Sequence, residues 1–282
     1  MAYVIGITGG IACYKAAEIV NALVQKGHSV DVIMTEKSNP LVVRRKVAFA
    51  EAVHEGTVIV EGIKASLAST INHALELFDD RVIPVLVDPE DEVVKELYPQ
   101  VVVDARMAKR NLGTTIDEAP LVIGLGPGFE AGKDVHAVIE TCRGHRLGRV
   151  IYRGSAIPNT GIPGNIGGYT VERILRAPVE GVVKTVRSIG ELVEKGDVVA
   201  TVENTPVQAQ IAGVIRGMVR EGVSVPKGTK IGNIEPGKDA EWDTISDKAL
   251  AVGGGVLEAV FNFIAFAENT IPGGKSLIGK TN

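Results

Sequence analysis

The sequence predicts two domains of different fold class, a Rossmann-like α/β domain with a parallel sheet and an all-β barrel-sandwich hybrid of the biotinyl/lipoyl-like kind. Two observations predict them. Near the start, an apolar run, a glycine turn, a helically spaced apolar stretch and a second apolar run follow one another, as in the opening unit of a doubly wound parallel sheet. Later, a segment of short apolar runs broken at glycines recurs 32 positions along the chain, which is typical of a domain made of two copies.

The opening unit contains the first candidate site. Residues 3–8 form the first strand, and Gly9 and Gly10 lead into the helical stretch. We expect Thr8, Gly9 and Gly10 to lie at the helix N-terminus, where free amides and the positive helix end favour a phosphate. Glu36 follows the second strand and is a candidate to contact a ribose hydroxyl. The turn lacks a G-x-G-x-x-G pattern and a Walker lysine, so a tight turn that serves only packing stays an alternative.

Further apolar runs continue the sheet. Residues 57–67 are predicted to form a hairpin about Gly62, because two alternating runs flank that glycine. Other runs predict strands at 30–34, 82–87, 101–105 and 121–125, and helices at 71–78 and 92–97. Strands separated by helical stretches favour a parallel sheet over much of residues 1–125.

A basic cluster follows the second strand, at Arg44, Arg45 and Lys46. On an alternating strand, Arg44 and Lys46 would share one face, and this face could bind an anionic ligand. The alternative interpretation is a solvated run of charges.

A glycine-rich connecting region is predicted over residues 126–175. Gly124, Gly126 and Gly128 mark the turn after the strand at 121–125, and their backbone amides could face an anion. Residues 159–168 are also rich in glycine, and we interpret them as a loop of special conformation, with a flexible linker as the alternative.

Polar residues cluster within the connecting region. Asp134 and His136 alternate on a predicted strand, and Glu140, Cys142 and His145 follow. Such side chains could hold a metal or supply acid–base chemistry. The spacing fits no standard zinc pattern, so we assign no metal and regard ordinary polar residues as the alternative.

The repeated segment forms the predicted barrel-sandwich hybrid, over residues 176–236. Residues 177–203 align without a gap on 209–235, and we expect the two copies to pack about a pseudo-twofold axis. Biotinyl and lipoyl carriers bear their cofactor on a lysine at the hairpin tip between the copies. Here the sequence between Lys195 and Lys227 contains no lysine, so we predict a structural or docking module. Residues 237–282 are predicted to form a C-terminal helix and tail.

The composition excludes several classes of protein. The 282-residue chain has a net charge of −4, which favours neither nucleic acid nor an anionic membrane as a partner. Its two cysteines are too few for a disulfide framework. The start of the chain lacks the basic segment of a signal peptide, and we expect a cytoplasmic protein.

Several sequence blocks, in unbroken order from about residue 34 to 260, resemble the YqeB-type family of accessory proteins for selenium-dependent molybdenum hydroxylases. They include NPLVVRRKVAFAEAVHEG, VVVDARMAKRNLGT, PLVIGLGPGFEAGKDVHAVIETCRGHRLGRVIYRG and PNTGIPGNIGGYT. The resemblance implies a role in maturing such hydroxylases or inserting their cofactor. It implies as partners a hydroxylase or its cofactor-maturation proteins. It carries over no catalytic residue. The matching blocks contain Arg44, Arg45, Asp104, Lys109, the glycines at 124–128, Asp134, His136, Arg143, His145 and the glycines at 161–168.

The first 36 residues resemble a different family. ITGGIACYKAAEIV and DVIMTE are similar to the start of phosphopantothenoylcysteine decarboxylase flavoproteins, in which a Thr-Gly-Gly turn holds the FMN phosphate. The later decarboxylase motifs, Pro-Ala-Met-Asn and Ala-Asn-Thr, are absent. Together, the glycine turn and the two resemblances imply a phosphate-bearing nucleotide, FMN or the molybdenum cofactor as the ligand. An FMN-binding flavoprotein and a scaffold without a small-molecule site are the alternatives to the accessory protein.

Overall fold

The computed structural model describes residues 2–8, 30–36, 43–80, 82–89 and 92–270. Side chains of the first two strands are outside that description. The first sheet contains nine strands, and one short pair, β8 with β11, lies apart from it. In chain order the strands of this half are β1 Ala2–Thr8, β2 Val30–Glu36, β3 Thr57–Val60, β4 Ile63–Leu67, β5 Ile83–Val87, β6 Val101–Asp104, β7 Leu121–Leu125, β8 Glu130–Ala131, β9 Ala137–Ile139, β10 Val150–Ile151 and β11 Gly154–Ser155.

The nine strands lie in the order β10-β9-β7-β6-β1-β2-β5-β4-β3. Every neighbouring pair from β9 to β4 is parallel. The two edge strands, β10 and β3, are antiparallel to their neighbours. Because β5 and β6 lie on opposite sides of the β1–β2 pair, the chain changes direction across the sheet there. The strand order therefore reverses between β1 and β6, which is where ligands bind in open parallel sheets.

Both faces of this sheet are buried, because alternate residues of its strands pack into two separate clusters. Val101 and Val103 of β6 belong to one cluster, and Val102 belongs to the other. This alternation follows from the two-residue period of a strand. Among the described residues, the helices that accompany the sheet are α1 Ala52–Glu55, α2 Ile71–Asp79, α3 Glu92–Leu97 and α4 Asp247–Thr270.

Helix α4 covers the β7–β9–β10 side of the sheet. Val252, Val256 and Val260 are buried in the same cluster as β6 and β7. Gly255 is required by this packing, since a Cβ there would lie 2.2 Å from the carbonyl oxygen of Gly148. Within the described residues, α4 is also the one helix whose length and mean hydropathy of 1.4 would allow it to cross a membrane. The predicted cytoplasmic location stays a prediction.

The repeated segment forms two four-stranded sheets, ordered β12-β19-β17-β14 and β16-β15-β13-β18. They enclose one apolar cluster that includes Val183, Val199, Ile215 and Ile231. The strands are β12 Ile174–Arg176, β13 Gly181–Thr185, β14 Leu192–Val193, β15 Val198–Val202, β16 Thr205–Gln208, β17 Gly213–Met218, β18 Ser224–Val225 and β19 Lys230–Pro236.

The two copies exchange strands. Strand β14 of the first copy pairs with β17 of the second, and β18 of the second copy pairs with β13 of the first. The matched glycines also share their backbone conformation: Gly181 and Gly213 have φ of 145° and 155°. Each copy therefore completes the other, as expected for copies that cannot bury their apolar faces alone.

Two parts of the predicted domain plan need correction. Residues 126–175 are not a separate connection, because β9 and β10 extend the first sheet and β12 begins at residue 174. Residues 43–47 do not form the alternating strand considered for Arg44 and Lys46: Arg44 makes one isolated bridge to Met218 of β17, and Val43 packs against the core of the repeated segment. The two halves of the chain are thus in direct contact.

Candidate functional site

The carboxyl edge of the parallel strands is the first part of the candidate site. The register places Thr8 opposite Glu36, and Ile7 opposite Asp104. The strand ends on both sides of the topological switch therefore meet at one edge. Gly9 and Gly10, which complete the predicted phosphate turn, lie outside the described residues.

Asp104 organises the loop that leaves this edge. Its carboxylate is buried and accepts hydrogen bonds from the Thr114 hydroxyl at 2.7 Å and from Nε of Arg106 at 3.0 Å. The loop holds Met107 and Lys109 at positive φ, 51° and 64°, a conformation that non-glycine residues adopt at a cost. Asp104 thus fixes the loop that presents Lys109.

The glycines at the end of β7 and directly after it have a packing role. A Cβ at Gly124 would lie 2.5 Å from the ring of Phe129, and one at Gly128 would lie 2.5 Å from the backbone of Arg110. The amide of Gly126 donates to the carbonyl of Ile139 at 2.9 Å. The prediction that this amide faces an anion is therefore wrong.

Asp134 and His136 lie at the opposite edge of the sheet. Asp134 is in a turn, where its Oδ2 accepts from the amide of Glu130 at 2.9 Å. Nδ1 of His136 accepts from the amide of Val122 at 3.0 Å, and burial lowers the histidine pKa despite the opposing charge of Asp117. Strand β9 begins only at residue 137. The predicted strand at 134–136 is wrong, and both residues precede the amino end of β9.

The end of β9 returns the chain to the carboxyl edge. Glu140 is buried and accepts from the amides of Cys142 at 2.7 Å and Ile157 at 2.8 Å, which ties two loops together. A cleft of about 380 Å³ lies beside it, lined in part by Glu140 and Ile157. Arg143 pairs with Asp247 of α4 through two hydrogen bonds of 2.5 and 2.8 Å, and His145 is exposed. The described residues contain no group of three or more His, Cys, Asp or Glu side chains that could hold a metal.

The second part of the site lies where the first sheet and its loops meet the outer face of β12, β19 and β17. Basic side chains converge there, and their charges act on one another's pKa values. We call this group the cationic interface; it consists of Arg45, Lys109, Arg143, Arg173, Arg176, Arg216, Lys230 and Lys248.

Burial and like charge shift several of these groups. Burial, with smaller contributions from Arg45, Arg173 and Lys109, lowers the pKa of Lys230 to about 8. Burial also lowers the pKa of Lys248, and the charge of Arg143 lowers it further. The protonated forms of both lysines are thus destabilised here, the opposite of what a nearby carboxylate would do.

The structure separates the predicted site residues. Arg45 and Arg143 belong to the cationic interface, whereas the Arg44 guanidinium is bonded to Glu51, with Nε at 2.8 Å from Oε2, and to Glu55. The sequence reasoning missed Arg173, Arg216 and Lys230, which are far from Arg45 along the chain. The sequence does contain one signal for two of them: Arg216 and Lys230 are charged residues within strands of the second copy.

Comparison with known proteins gives two sequence relations. The Flavoprotein family matches residues 1–90. The uncharacterized protein YqeB of Escherichia coli (strain K12) is 51% identical over 230 residues, which is 81% of this chain and 42% of that protein. The chain therefore spans less than half the length of this relative.

Solved structures give only weak similarity. An aspartoacylase family protein from Mesorhizobium loti is 14% identical with a TM-score of 0.28, covering 83% of this chain and 85% of its own. The ectoine utilization protein EutE from Ruegeria pomeroyi is 9% identical with a TM-score of 0.27, covering 84% and 86%. Similarity at this level establishes no shared fold.

Proposed function

We propose that this chain is a cytoplasmic accessory protein in the maturation of selenium-dependent molybdenum hydroxylases. It binds a phosphate-bearing nucleotide or cofactor at the carboxyl edge of its parallel sheet and acts with a hydroxylase or its maturation proteins. The observation that carries this proposal is the 51% identity to YqeB over 81% of the chain, together with the sequence blocks that resemble YqeB-type accessory proteins.

The sheet topology supports the ligand part of the proposal. In open parallel sheets, ligands bind outside the carboxyl ends of the strands where the strand order reverses. Here that place lies between β1 and β6, close to the predicted phosphate turn at Thr8, Gly9 and Gly10. On this basis we propose a Rossmann-like fold for the first half and a barrel-sandwich hybrid for the second.

The hairpin tip between the two copies supports a docking or structural role for the second half. Glu203 and Asn204 form the tip with positive φ of 47° and 65°. Oε1 of Glu203 accepts from the amide of Val182 at 2.9 Å. The tip is thus tied back to β13 and carries no lysine for a swinging cofactor.

The test is to identify what the purified protein binds and contacts. The protein is incubated with nucleotides, FMN and molybdopterin, and the retained ligand is identified by mass spectrometry, while a parallel pull-down uses a selenium-dependent hydroxylase. We expect one phosphate-bearing ligand to be retained, and the hydroxylase to be captured. Gly9→Val should abolish retention, because a side chain at the predicted turn crowds the phosphate. Retention of no ligand and no capture would contradict the proposal.

A second candidate is a flavoprotein, which the Flavoprotein match over residues 1–90 favours. The measurement is the visible absorption spectrum after incubation with FMN and gel filtration. Flavin bands that co-elute with the protein support this candidate, and a colourless protein excludes it. A scaffold without a small-molecule site would show no thermal shift, whereas a ligand at 100 times its dissociation constant stabilises by about 2.7 kcal/mol.

A further inference from the structure

The outer face of the β12-β19-β17 sheet is polar, although it is covered. Ile215 and Ile234 point into the apolar cluster between the two sheets of this half. Their neighbours along the strands, Arg216, Asn233 and Glu235, are buried or half-buried without belonging to that cluster. Loops of the first half cover this face, so charged groups are enclosed between the two halves of the chain.

Two arginines on this face share one carboxylate. Glu235 Oε2 lies 3.6 Å from the NH1 atoms of both Arg173 and Arg216. Each guanidinium has one further bond, Arg173 to the carbonyl of Gly164 at 3.2 Å and Arg216 to the carbonyl of Thr244 at 3.1 Å. One carboxylate at this distance compensates two guanidinium groups incompletely.

Donor groups on this face are left unused. The Nε atoms of Arg173 and Arg216 are buried and have no partner among the described residues. The two side chains are only 8% and 13% exposed, so solvent cannot readily replace that partner. The Asn233 side chain, in a residue 2% exposed, also has an Oδ1 without a partner among the described residues; this atom is an acceptor, so it does not itself favour an anion. Buried donors without a partner are costly, so native proteins seldom retain them.

Lys230, on β19, adds a further positive charge to this face. It lies in register with Arg176 across the β12–β19 pair. The side chains whose charges act most on it are Arg45, Arg173, Lys109 and Arg176, which come from three separate segments of the chain. Like charges brought together from three segments repel one another unless an anion lies between them.

We propose that the cationic interface binds a phosphate-class oxyanion at the unused donors of Arg173 and Arg216, with the charge of Lys230 contributing, either as inorganic phosphate or as the phosphate group of a larger ligand. A dianion supplies acceptors for the unused guanidinium donors and neutralises more than one cation at once. This site is separate from the predicted turn after β1, and it does not depend on the function proposed above.

The test measures inorganic phosphate binding to the full chain by calorimetric titration, after exhaustive dialysis and with potassium chloride matched for ionic strength. Lys230→Met removes a charge of the proposed site while keeping the length of the side chain. Lys184→Met is the matched control, because Lys184 is exposed on strand β13. We expect saturable binding to the wild-type and Lys184→Met proteins, and a dissociation constant at least about tenfold higher for Lys230→Met.

Two results would overturn the proposal: no saturable binding to the wild-type protein, or equal binding to all three proteins. Thermal unfolding provides a check on folding, since Lys230→Met without phosphate should unfold at a temperature no lower than the wild-type. If Lys230→Met unfolds instead, Arg173→Gln replaces it, and unchanged phosphate affinity in that variant would equally overturn the proposal.

Further arms distinguish the source of the phosphate. A nucleoside monophosphate and FMN are titrated in the presence and absence of inorganic phosphate. If the nucleotide or FMN competes with inorganic phosphate and binds more tightly, the site belongs to a larger ligand. If inorganic phosphate binds and neither ester competes with it, the site belongs to the free ion. Gly9→Val separates this site from the proposed function, because it should leave the affinity for inorganic phosphate unchanged. If Gly9→Val lost both phosphate binding and retention of the proposed ligand, the two sites would not be separate.

Discussion

The two copies of the repeated segment share one fold but present different outer faces. Lys184 of the first copy corresponds to Arg216 of the second, 32 positions later. Lys184 is exposed, whereas the Arg216 side chain is 13% exposed and lies beside Glu235. The first copy therefore shows what the repeat needs in order to fold, and the second shows what contact with the first half of the chain adds.

The matched glutamates show the same difference. Glu203 is exposed and accepts one backbone hydrogen bond from Val182. Glu235 lies between Arg173 and Arg216. At a third matched position, Val198 of the first copy is replaced by Lys230 of the second. Since valine satisfies the fold at that position in the first copy, the fold of the repeat does not require a lysine at 230.

The largest effect is expected from removing the shared carboxylate. Glu235→Gln leaves Arg173 and Arg216 buried without a counter-charge, and it should lower the free energy of unfolding by about 3 kcal/mol. Glu203→Gln, at the matched exposed position, should cost less than about 1 kcal/mol. Urea denaturation at pH 7 in phosphate-free buffer measures both. Equal losses would show that the two outer faces are energetically alike.

A smaller difference is expected at the matched glycines. A Cβ at Gly213 would lie 2.1 Å from the carbonyl oxygen of Glu235, whereas one at Gly181 would meet the side chain of Glu203 at 2.0 Å. A backbone oxygen held in the β17–β19 ladder cannot move aside, but an exposed side chain can. Gly213→Ala should therefore destabilise by about 2 kcal/mol and Gly181→Ala by about 1 kcal/mol. Thermal unfolding measures the two variants, and the reverse order would be inconsistent with this packing.

The pH dependence tests the buried lysine. The pKa of Lys230 is lowered from 10.5 to about 8 in the folded chain. Between about pH 8 and 10.5, the unfolded chain therefore binds a proton that the folded chain does not. Without phosphate, the stability of the wild-type protein should therefore rise with pH relative to Lys230→Met, by at most about 1.4 kcal/mol per pH unit. Below about pH 8, the difference in the free energy of unfolding between the wild-type and Lys230→Met proteins should not change with pH.

Urea denaturation from pH 7 to 10 measures this dependence, with Lys184→Met as the control. The wild-type and Lys184→Met proteins should follow the same course. A difference between the wild-type and Lys230→Met proteins that does not change with pH would contradict the burial of an uncompensated lysine.

The smallest effect is expected at the rim of the cationic interface. Asp247 is 69% exposed and pairs with Arg143, whose guanidinium lowers the pKa of Asp247. That contribution to stability is present above the unfolded pKa and is lost as the pH falls. Asp247→Asn should cost about 0.5 kcal/mol at pH 7 and less at pH 2. Thermal unfolding at the two pH values measures it, and a loss above 2 kcal/mol would place Asp247 in the buried network with Glu235.

Local patterns predicted the strands of both halves. The hairpin about Gly62 lies at Thr57–Val60 and Ile63–Leu67, because alternating apolar residues and a glycine at positive φ determine such a hairpin locally. The gap-free alignment of the two copies also matched glycines that share a backbone conformation in the structure, as at Gly181 and Gly213. Both signals are contained within short segments.

Long-range contacts were not predictable from such patterns. The sequence grouped Asp134 and His136 with Glu140 and His145, although the first two precede β9 and the other two follow it, at the opposite edge of the sheet. Arg44 and Arg45 are adjacent in sequence, yet Arg44 is bonded to Glu51 and Arg45 lies near Lys230. Gly9 and Gly10 lie outside the described residues, and their predicted phosphate site stays a prediction.

Equilibrium dialysis with radiolabelled inorganic phosphate tests the anion site of the cationic interface most directly, because it counts bound ions per chain. The wild-type and Lys184→Met proteins should each saturate at about one phosphate per chain, and Lys230→Met should bind at least about tenfold more weakly. Absence of bound phosphate in the wild-type protein, or equal saturation of Lys230→Met at the same free concentration, would contradict it.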